Sequence, residues 1–349
     1  MTMERRAFLQ KTSLALATLP FSTALRAQSY SESLVPKTNS ELLENLSEKA
    51  LTRIAFGSCN DSKKDMSYWS HIARDKPDLW IWLGDNIYAD FTSLTEREYR
   101  YTQLKSHPLY ERFRSETPII GIWDDHDYGY NNSNGSFWSK EESQQLFCNF
   151  MDIQAGEAAR VQDGIYRSFE FGPQGQRTQV ILLDMRYNMD QNLVRRKILG
   201  DEQWAWFENQ VLNSTADLLV IGSSLAVTSN IALLGLEGWA GYGEERRRLY
   251  DLLSQTDTPA VLLSGDRHFA ELYRVVLPSG RVVHEAMSSG LTHTSGVVLP
   301  HPGRISPMVG KKNYGMLEVD WSGGRPEVNM QIKSAETYGV LAEARVSLG

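Results

Sequence analysis

The chain has 349 residues, of which 41% are hydrophobic and 23% are charged, and its formal net charge is −7. This length and composition exclude a disordered chain and are typical of a globular protein with a substantial core. No block of lysines and arginines tracks a phosphate backbone, so we expect no nucleic-acid binding patch. The two cysteines, Cys59 and Cys148, exclude a disulfide-stapled fold.

The N-terminus has the pattern of a twin-arginine export signal. Two consecutive arginines, Arg5 and Arg6, precede an uncharged run over residues 12–25. This run is shorter than the roughly 20 residues that a membrane-spanning helix needs, so we expect no stable membrane span, with a retained anchor as the alternative. Residues 1–27 are therefore predicted to be a cleaved signal peptide. It would direct the folded protein through the twin-arginine export machinery to the periplasm or the medium.

The rest of the chain has the pattern of one α/β domain. Residues 28–50 are polar and predict a short helix or linker, whereas residues 51–349 contain no repeat or hinge that would divide them. Amphipathic helical stretches alternate with apolar runs of strand length, and two later segments with turns at 278–280 and 322–324 look antiparallel, which implies a mixed sheet. The apolar runs are RIAFGSCN, DLWIWLGDN, TPIIGIWDDHD, TQVILLDMR, DLLVIGSS and TPAVLLSGDRH.

Five of these six predicted strands end in residues that carry chemistry. Because ligands of open α/β sheets bind outside the carboxyl ends of the strands, the five ends can share one crevice. Their thiol, carboxylate, imidazole and guanidinium groups are typical of a metal site with a clamp for phosphate. The ends are Ser58-Cys59-Asn60, Gly84-Asp85-Asn86, Asp124-Asp125-His126-Asp127, Asp184-Met185-Arg186 and Gly265-Asp266-Arg267-His268.

Six fragments between residues 54 and 320 resemble, in their order, the alkaline phosphatase D (PhoD-like) family of calcineurin-like metallophosphoesterases. They are FGSC, WLGDNIYAD, WDDHDYGYNN, LLDMRY, EGWAGYGEERRRLYDLL and LLSGDRHFAEL. The resemblance implies a four-layer α/β/β/α sandwich with mixed sheets and a single catalytic domain over residues 51–349. It also implies an exported metal-dependent phosphatase or phosphodiesterase that acts on small phosphate esters for phosphate acquisition.

The resemblance further implies a binuclear or larger metal centre with ferric iron (Fe3+) beside calcium (Ca2+). Thiolate, phenolate and carboxylate ligands together neutralise a trivalent ion, and an all-oxygen second site suits a hard divalent cation. Only two of the seven histidines, His126 and His268, lie at strand ends, which disfavours an imidazole-rich zinc pair. Carried over by position, the iron ligands would be Cys59, Asp85, Tyr88 and His268, and calcium would be held by Asp85 as the bridge, Asp125 and Asp266.

The implied mechanism is direct attack of metal-activated water on phosphorus, with inversion. His126 follows Asp125 and matches the histidine that the superfamily places near the leaving group, so it is assigned as general acid or transition-state donor. Arg186 would hold the non-bridging phosphoryl oxygens through its fork of N–H groups.

Several residues have a structural alternative. Cys59 can be a small buried hydrophobe and Tyr88 a core aromatic residue. Asp124 can bind metal or cap a turn beside Asp125, and the sequence does not separate the two. Cys148 lies in a predicted helix and is expected to be a core residue rather than a disulfide partner of Cys59.

Two alternative functions stay open. One is a specialised phospholipid or polymer phosphodiesterase, similar to a phospholipase D, in which an aromatic loop from Tyr128 to Trp138 would bind the substrate. The other is a degenerate metal protein that only binds. Well-known family members carry an extra N-terminal β-rich domain for which residues 28–50 leave no room, so we expect a more open cleft that admits bulky diesters.

Overall fold

The computed structural model describes residues 37–191, 196–230, 237–295 and 300–348. The predicted signal peptide, residues 1–27, lies outside the described residues, as do residues 28–36 of the linker. The remainder of the linker contains a short helix that begins with a capping box at Thr38. Lys37–Gly349 forms one compact unit, and no helix among the described residues is long and apolar enough to cross a membrane.

The described residues form two six-stranded sheets with helices between the strands. The strands are β1 (Arg53–Gly57), β2 (Leu79–Leu83), β3 (Ile119–Ile122), β4 (Arg167–Phe171), β5 (Thr178–Leu182), β6 (Leu218–Gly222), β7 (Ala260–Ser264), β8 (Ala270–Val276), β9 (Val282–Ser288), β10 (Asn313–Asp320), β11 (Glu327–Ser334) and β12 (Val340–Ser347). The α-helices are α1 (Asn39–Leu46), α2 (Tyr68–Arg74), α3 (Leu94–Lys105), α4 (Pro108–Glu116), α5 (Asp125–Tyr128), α6 (Lys140–Phe150), α7 (Asp201–Leu212) and α8 (Gly243–Ser254).

Both sheets are mixed, as predicted. The first has the order β12-β11-β10-β1-β2-β3, and its strands β1, β2 and β3 are parallel. The second has the order β4-β5-β6-β7-β9-β8, and its strands β5, β6, β7 and β9 are parallel. The carboxyl ends of the parallel strands therefore lie together at one edge of each sheet.

The second sheet separates two apolar cores. Val180 and Leu182 of β5 belong to the core that the second sheet shares with the first, whereas Ile181 packs in a separate cluster with Trp204 of α7 and Leu252 of α8. This division follows from the alternation of side chains along a strand. Helices α7 and α8 therefore cover the outer face of the second sheet.

Aromatic packing covers the outer face of the first sheet. The ring of Trp69 on α2 lies 5.0 Å from that of Trp80 on β2 and 5.1 Å from that of Phe113 on α4. Trp82, two residues along β2, donates from Nε1 to Tyr110 Oη over 2.9 Å. These contacts complete the layers of an α/β/β/α sandwich in one domain, which confirms the predicted fold class.

Two strands have no counterpart in the sequence prediction. β4 is short and half-exposed, and the middle of β12, residues 341–345, consists of Leu, Ala, Glu, Ala and Arg, which favour helices. Pairing of β12 with β11 along its whole length overrides that local preference. The C-terminal segment thus forms an edge strand of the first sheet. Cys59 and Cys148 are both buried and free, as expected.

Candidate metal centre

Two glycines bring the strand ends of both sheets close together. Gly84, which follows β2, has φ +96°, and a Cβ atom there would lie 2.5 Å from Cβ of Asp124. A Cβ atom on Gly265, which follows β7, would lie 2.6 Å from Oγ of Ser58 and 2.7 Å from the carbonyl oxygen of Leu83. Only glycine fits such close approaches, which explains why a glycine precedes the aspartate in both Gly-Asp pairs.

Four of the six candidate metal ligands have a left-handed backbone conformation. Their φ angles are 62° at Cys59, 48° at Asp85, 71° at Asp266 and 58° at His268. A non-glycine residue in this region costs on the order of 1–3 kcal/mol and persists only where its surroundings impose it. Strain of this kind is concentrated at functional sites. The backbone of these four residues therefore supports the hypothesis that their strand ends form a functional site.

A thiol, a phenol, a carboxylate and an imidazole converge on one point. Asp85 Oδ2 lies 3.4 Å from Cys59 Sγ and 3.2 Å from Tyr88 Oη. Tyr88 Oη also lies 3.0 Å from Nε2 of His268. Potential ligand atoms of Cys59, Asp85 and His268 lie within 4.8 Å of one another. The four residues expected to bind iron are thus brought together.

A second group of carboxylates adjoins the first. Asp124, Asp125 and Asp266 each offer an oxygen, and these three atoms lie within 4.8 Å of one another. Asp124 Oδ2, Asp125 Oδ1 and Asp266 Oδ2 are buried and have no hydrogen-bond partner among the described residues. Arginines lie 3.6 Å from the Asp125 oxygen and 3.5 Å from the Asp266 oxygen, but neither donates a hydrogen bond to it. Leaving buried carboxylate oxygens without hydrogen bonds is costly, and a hard cation would supply the missing interaction. Asp85 and Asp125 also cluster with His126, which links the two groups.

The role of Asp124, which the sequence left open, has two parts in the structure. Asp124 is the N-cap of α5, and its Oδ1 accepts hydrogen bonds from Arg186 Nε over 2.5 Å and from Ser224 Oγ over 2.7 Å. Its Oδ2 is one of the unpartnered oxygens. Asp124 therefore occupies the N-cap position of α5, and its free Oδ2 remains available as a metal ligand.

The acidic groups of the centre are hard to ionise without a cation. Arg186 and His126 outweigh the effect of burial only at Asp125, where they lower the pKa. At Asp124 the opposing charge of Arg186 does not outweigh burial, which raises the pKa to about 6. A bound cation would favour the ionised forms and release their protons. Burial, reinforced by a neighbouring carboxylate, raises the pKa of Cys59, Asp85, Tyr88 and Asp266.

His126 is held by a carboxylate that the sequence analysis did not single out. Its Nδ1 lies 2.6 Å from Asp90 Oδ2, and the ring of His126 lies 4.3 Å from that of Tyr88. Burial lowers the pKa of His126, but the hydrogen bond to Asp90 and the charges of Asp85 and Asp125 outweigh burial and raise the pKa to about 10. The contact with Asp90 therefore fixes the orientation of the ring, and the raised pKa favours the protonated form that a proton donor needs.

Arg186 is buried and its donors are already occupied. Besides the bond to Asp124, Nη1 and Nη2 donate to the two carboxylate oxygens of Glu237 over 3.0 and 2.8 Å, and Nη1 also donates to the carbonyl of Ser133. Nη2 lies 3.6 Å from Asp125 Oδ1. This arrangement differs from the expected clamp on substrate, because a guanidinium that binds two carboxylates has few donors left. These contacts favour a positioning role, and the substrate clamp stays a prediction.

His293 is a residue of the centre that the sequence analysis missed. Its ring lies 4.4 Å from that of His268 and 5.1 Å from that of Tyr88. Nδ1 of His293 lies 3.0 Å from Thr292 Oγ1, which in turn donates to the carbonyl of Cys59 over 3.0 Å. His293 follows β9 in an ordinary polar segment, so no strand-end motif signals it.

The sandwich and the ligand cluster at its strand ends define a protein of the metallophosphoesterase type. The profile of the PhoD-like phosphatases matches residues 54–300. The chain therefore belongs to the PhoD-like phosphatase family, and it is a hydrolase that acts on phosphate esters.

Solved structures share the fold. PhoD is similar with a TM-score of 0.71 and 18% sequence identity, over 87% of this chain and 73% of that chain. GAP50, the anchor in the inner membrane complex of Plasmodium, is similar with a TM-score of 0.59 and 14% identity, over 86% of this chain and 90% of that chain. Identities this low show a common fold alone. No curated protein sequence matches the chain.

Proposed function

We propose that the chain is an exported phosphatase and phosphodiesterase that works with ferric iron beside calcium and releases phosphate for uptake. The observation that carries this proposal is the set of three buried carboxylate oxygens, on Asp124, Asp125 and Asp266, that accept no hydrogen bond from the described residues. They adjoin the cluster of thiol, phenol and imidazole groups. Such a donor set fits cations better than any arrangement of neutral partners.

The two donor groups suit unlike cations. Cys59, Asp85 and Tyr88 supply three anionic ligands, which together with the imidazole of His268 fit trivalent iron. The carboxylates of Asp85, Asp125 and Asp266 fit calcium, with Asp124 as an additional oxygen ligand. When bound, the cations would supply an activated water nucleophile near neutral pH and neutralise the phosphoryl oxygens.

The chain's own residues would then protonate the leaving group and hold the carboxylates of the centre in place. Because Nδ1 of His126 is bonded to Asp90, only Nε2 is left to give a proton to the leaving oxygen. Arg186 would fix the orientation of Asp124 and Asp125, since it contacts a carboxylate oxygen of each. Substrate binding by Arg186 would require release of Glu237.

An Asp85→Asn variant tests this function. Asp85 clusters with Cys59 and His268 and also with Asp125 and His126, so its loss should lower 4-nitrophenol release from bis(4-nitrophenyl) phosphate and 4-nitrophenyl phosphate by about 100-fold or more. Asp61→Asn is the matched control, because Asp61 lies in the same loop as Cys59 but accepts a hydrogen bond from Lys63 N. Full activity in Asp85→Asn would refute the proposed centre. The ratio of the activities on the two substrates also tests the expectation of an open cleft that admits diesters. A large preference for the monoester would count against it.

Export rests on the twin arginines, Arg5 and Arg6. Replacing both with lysine should retain the uncleaved precursor in the cytoplasm of the native host, as seen by immunoblotting of cell fractions. Cleaved protein outside the cytoplasm in that variant would contradict the proposed route.

A further inference from the structure

Three aromatic residues near His126 form a ladder that faces solvent. Phe91 is 83% exposed and Trp138 is 76% exposed. The rings of Phe91 and Tyr130 stack with centroids 5.2 Å apart and an interplanar angle of 13°, and the ring of Tyr130 lies 6.2 Å from that of Trp138. We call Phe91, Tyr130 and Trp138 the aromatic ladder.

Two features of Phe91 are unfavourable for the stability of the fold. A large aromatic side chain is left in water, and the backbone of Phe91 has φ 53°, a left-handed conformation that bulky residues rarely adopt. The stacking contact with Tyr130 does not by itself explain why the Phe91 ring is left so exposed. A strained and exposed aromatic residue next to a reactive centre points to a binding role.

Hydrogen bonds join the ladder to the centre. Asp90, the residue before Phe91, accepts from the backbone N–H of Asn131 over 2.7 Å and is bonded to His126 Nδ1. Asn131 is the residue after Tyr130, and the next residue, Asn132, donates from its backbone to Asp125 Oδ2 over 2.6 Å. One carboxylate, Asp90, therefore anchors the proton donor and both stacked segments.

We propose that the aromatic ladder is the subsite for the leaving group, and that it selects phosphate esters whose leaving group carries a planar ring, such as an aryl group or a nucleobase. This inference rests on the proposed function. If His126 gives a proton to the leaving oxygen, the organic part of the substrate begins beside His126 and extends towards the segment that holds Phe91. Stacking on an aromatic face strengthens binding of a planar ring on the order of 10-fold.

The charge around the ladder disfavours a lipid surface as the occupant. Interfacial membrane binding combines aromatic residues with lysines and arginines. Here, Asp90 and the polar Asn131 and Asn132 adjoin the rings, the carboxylates of the centre lie behind them, and the formal net charge is −7. A neutral planar ring needs no basic partner.

The test compares 2-naphthyl phosphate with glycerol phosphate, using the metal-loaded enzyme. Phe91→Leu keeps an apolar side chain but removes the planar face, so it should lower kcat/KM for the naphthyl ester about 10-fold, mainly through KM, and leave glycerol phosphate unchanged. Phe91→Trp should restore the naphthyl value. Tyr338→Leu is the matched control, because Tyr338 is also exposed with φ 59° but lies under Arg74 on another part of the surface.

Other outcomes overturn the proposal. Equal losses on both substrates would make Phe91 a structural residue. Unchanged kinetics in Phe91→Leu, together with lost binding to phosphatidylglycerol vesicles, would make the ladder a lipid contact.

Failure of the proposed function is distinguishable from failure of this inference. If the wild-type enzyme hydrolyses neither ester, calorimetry with naphthyl phosphonate and methyl phosphonate replaces the kinetics. Tighter binding of the naphthyl compound that is lost in Phe91→Leu supports the ladder, and equal binding of the two compounds overturns it.

Discussion

The phenol oxygen of Tyr88 lies 3.0 Å from Nε2 of His268, and this contact joins the loop after β2 in the first sheet to the loop after β7 in the second. Asp85, three residues before Tyr88, lies 3.2 Å from the same phenol oxygen. The candidate metal centre therefore depends on how the two sheets pack. Either sheet alone holds only part of the ligand set.

Cys59 gives a test of the iron site with an internal control. Cys59→Ser should deplete iron and lower activity, because a hydroxyl group is a poorer ligand for iron than a thiolate. Metal analysis and the visible spectrum of the purified protein measure the loss. Cys148→Ser is the matched variant, since Cys148 is also buried and free but lies on α6 and contacts the carbonyl of Ala159. Equal iron contents in the two variants would remove Cys59 from the ligand set.

His126→Asn should retain metal and lose turnover in a way that depends on the leaving group. A general acid matters most for poor leaving groups, so kcat/KM for an alkyl phosphate should fall by roughly 10²–10⁴-fold, and that for a nitrophenyl ester much less. Asp90→Asn should give a weaker form of the same pattern, because Asp90 holds the His126 ring but gives no proton to the leaving group itself. Uniform losses across leaving groups would contradict the donor role. This pattern is the reverse of that expected for Phe91→Leu.

Arg186→Ala separates the positioning role from the substrate clamp. Removing this buried guanidinium leaves Asp124 and Glu237 without their cation, so the free energy of unfolding should fall by about 3–5 kcal/mol. The surface pair of Arg248 with Glu208 is the control, and Arg248→Ala should cost no more than about 1 kcal/mol. Urea unfolding monitored by tryptophan fluorescence gives both values. Unchanged stability together with lost activity would instead support the role of Arg186 as a clamp on the substrate.

Gly84→Ala should damage the centre through its backbone. The new methyl group would meet the side chains of Asp124 and Ser224, so we expect lower metal content as well as lower stability. Gly280→Ala is the control, because Gly280 has φ +85° and open space around it. Alanine there should lower the free energy of unfolding only by the cost of its left-handed backbone, about 1–2 kcal/mol. Normal metal content in Gly84→Ala would show that the close approach to Asp124 is dispensable.

Much of the fold and of the side-chain cluster at the strand ends is predictable from the sequence, since the parallel strands β2, β3 and β6 are apolar throughout. β2 and β7 are buried along their entire length, and a Gly-Asp pair follows each of them. The sequence therefore shows both that these pairs lie at the carboxyl ends of buried strands and that they carry reactive side chains. Local order along the chain is enough for such an inference.

Contacts that depend on tertiary packing are not visible in this way. Glu237, which takes the donors of Arg186, is separated from it by 51 positions along the chain, and nothing near Arg186 signals that pair. His293 lies in a segment without a motif, and β12 contradicts the helical preference of its residues. In each case the position is decided by partners distant in sequence.

The most direct test of the two-cation centre is anomalous X-ray diffraction at the iron edge from crystals of the protein exported by its native host. We expect one strong peak within bonding distance of Cys59 Sγ, Tyr88 Oη and His268 Nε2, with a lighter ion among the carboxylates of Asp125 and Asp266. A native crystal with no metal atom at the strand ends would contradict the account.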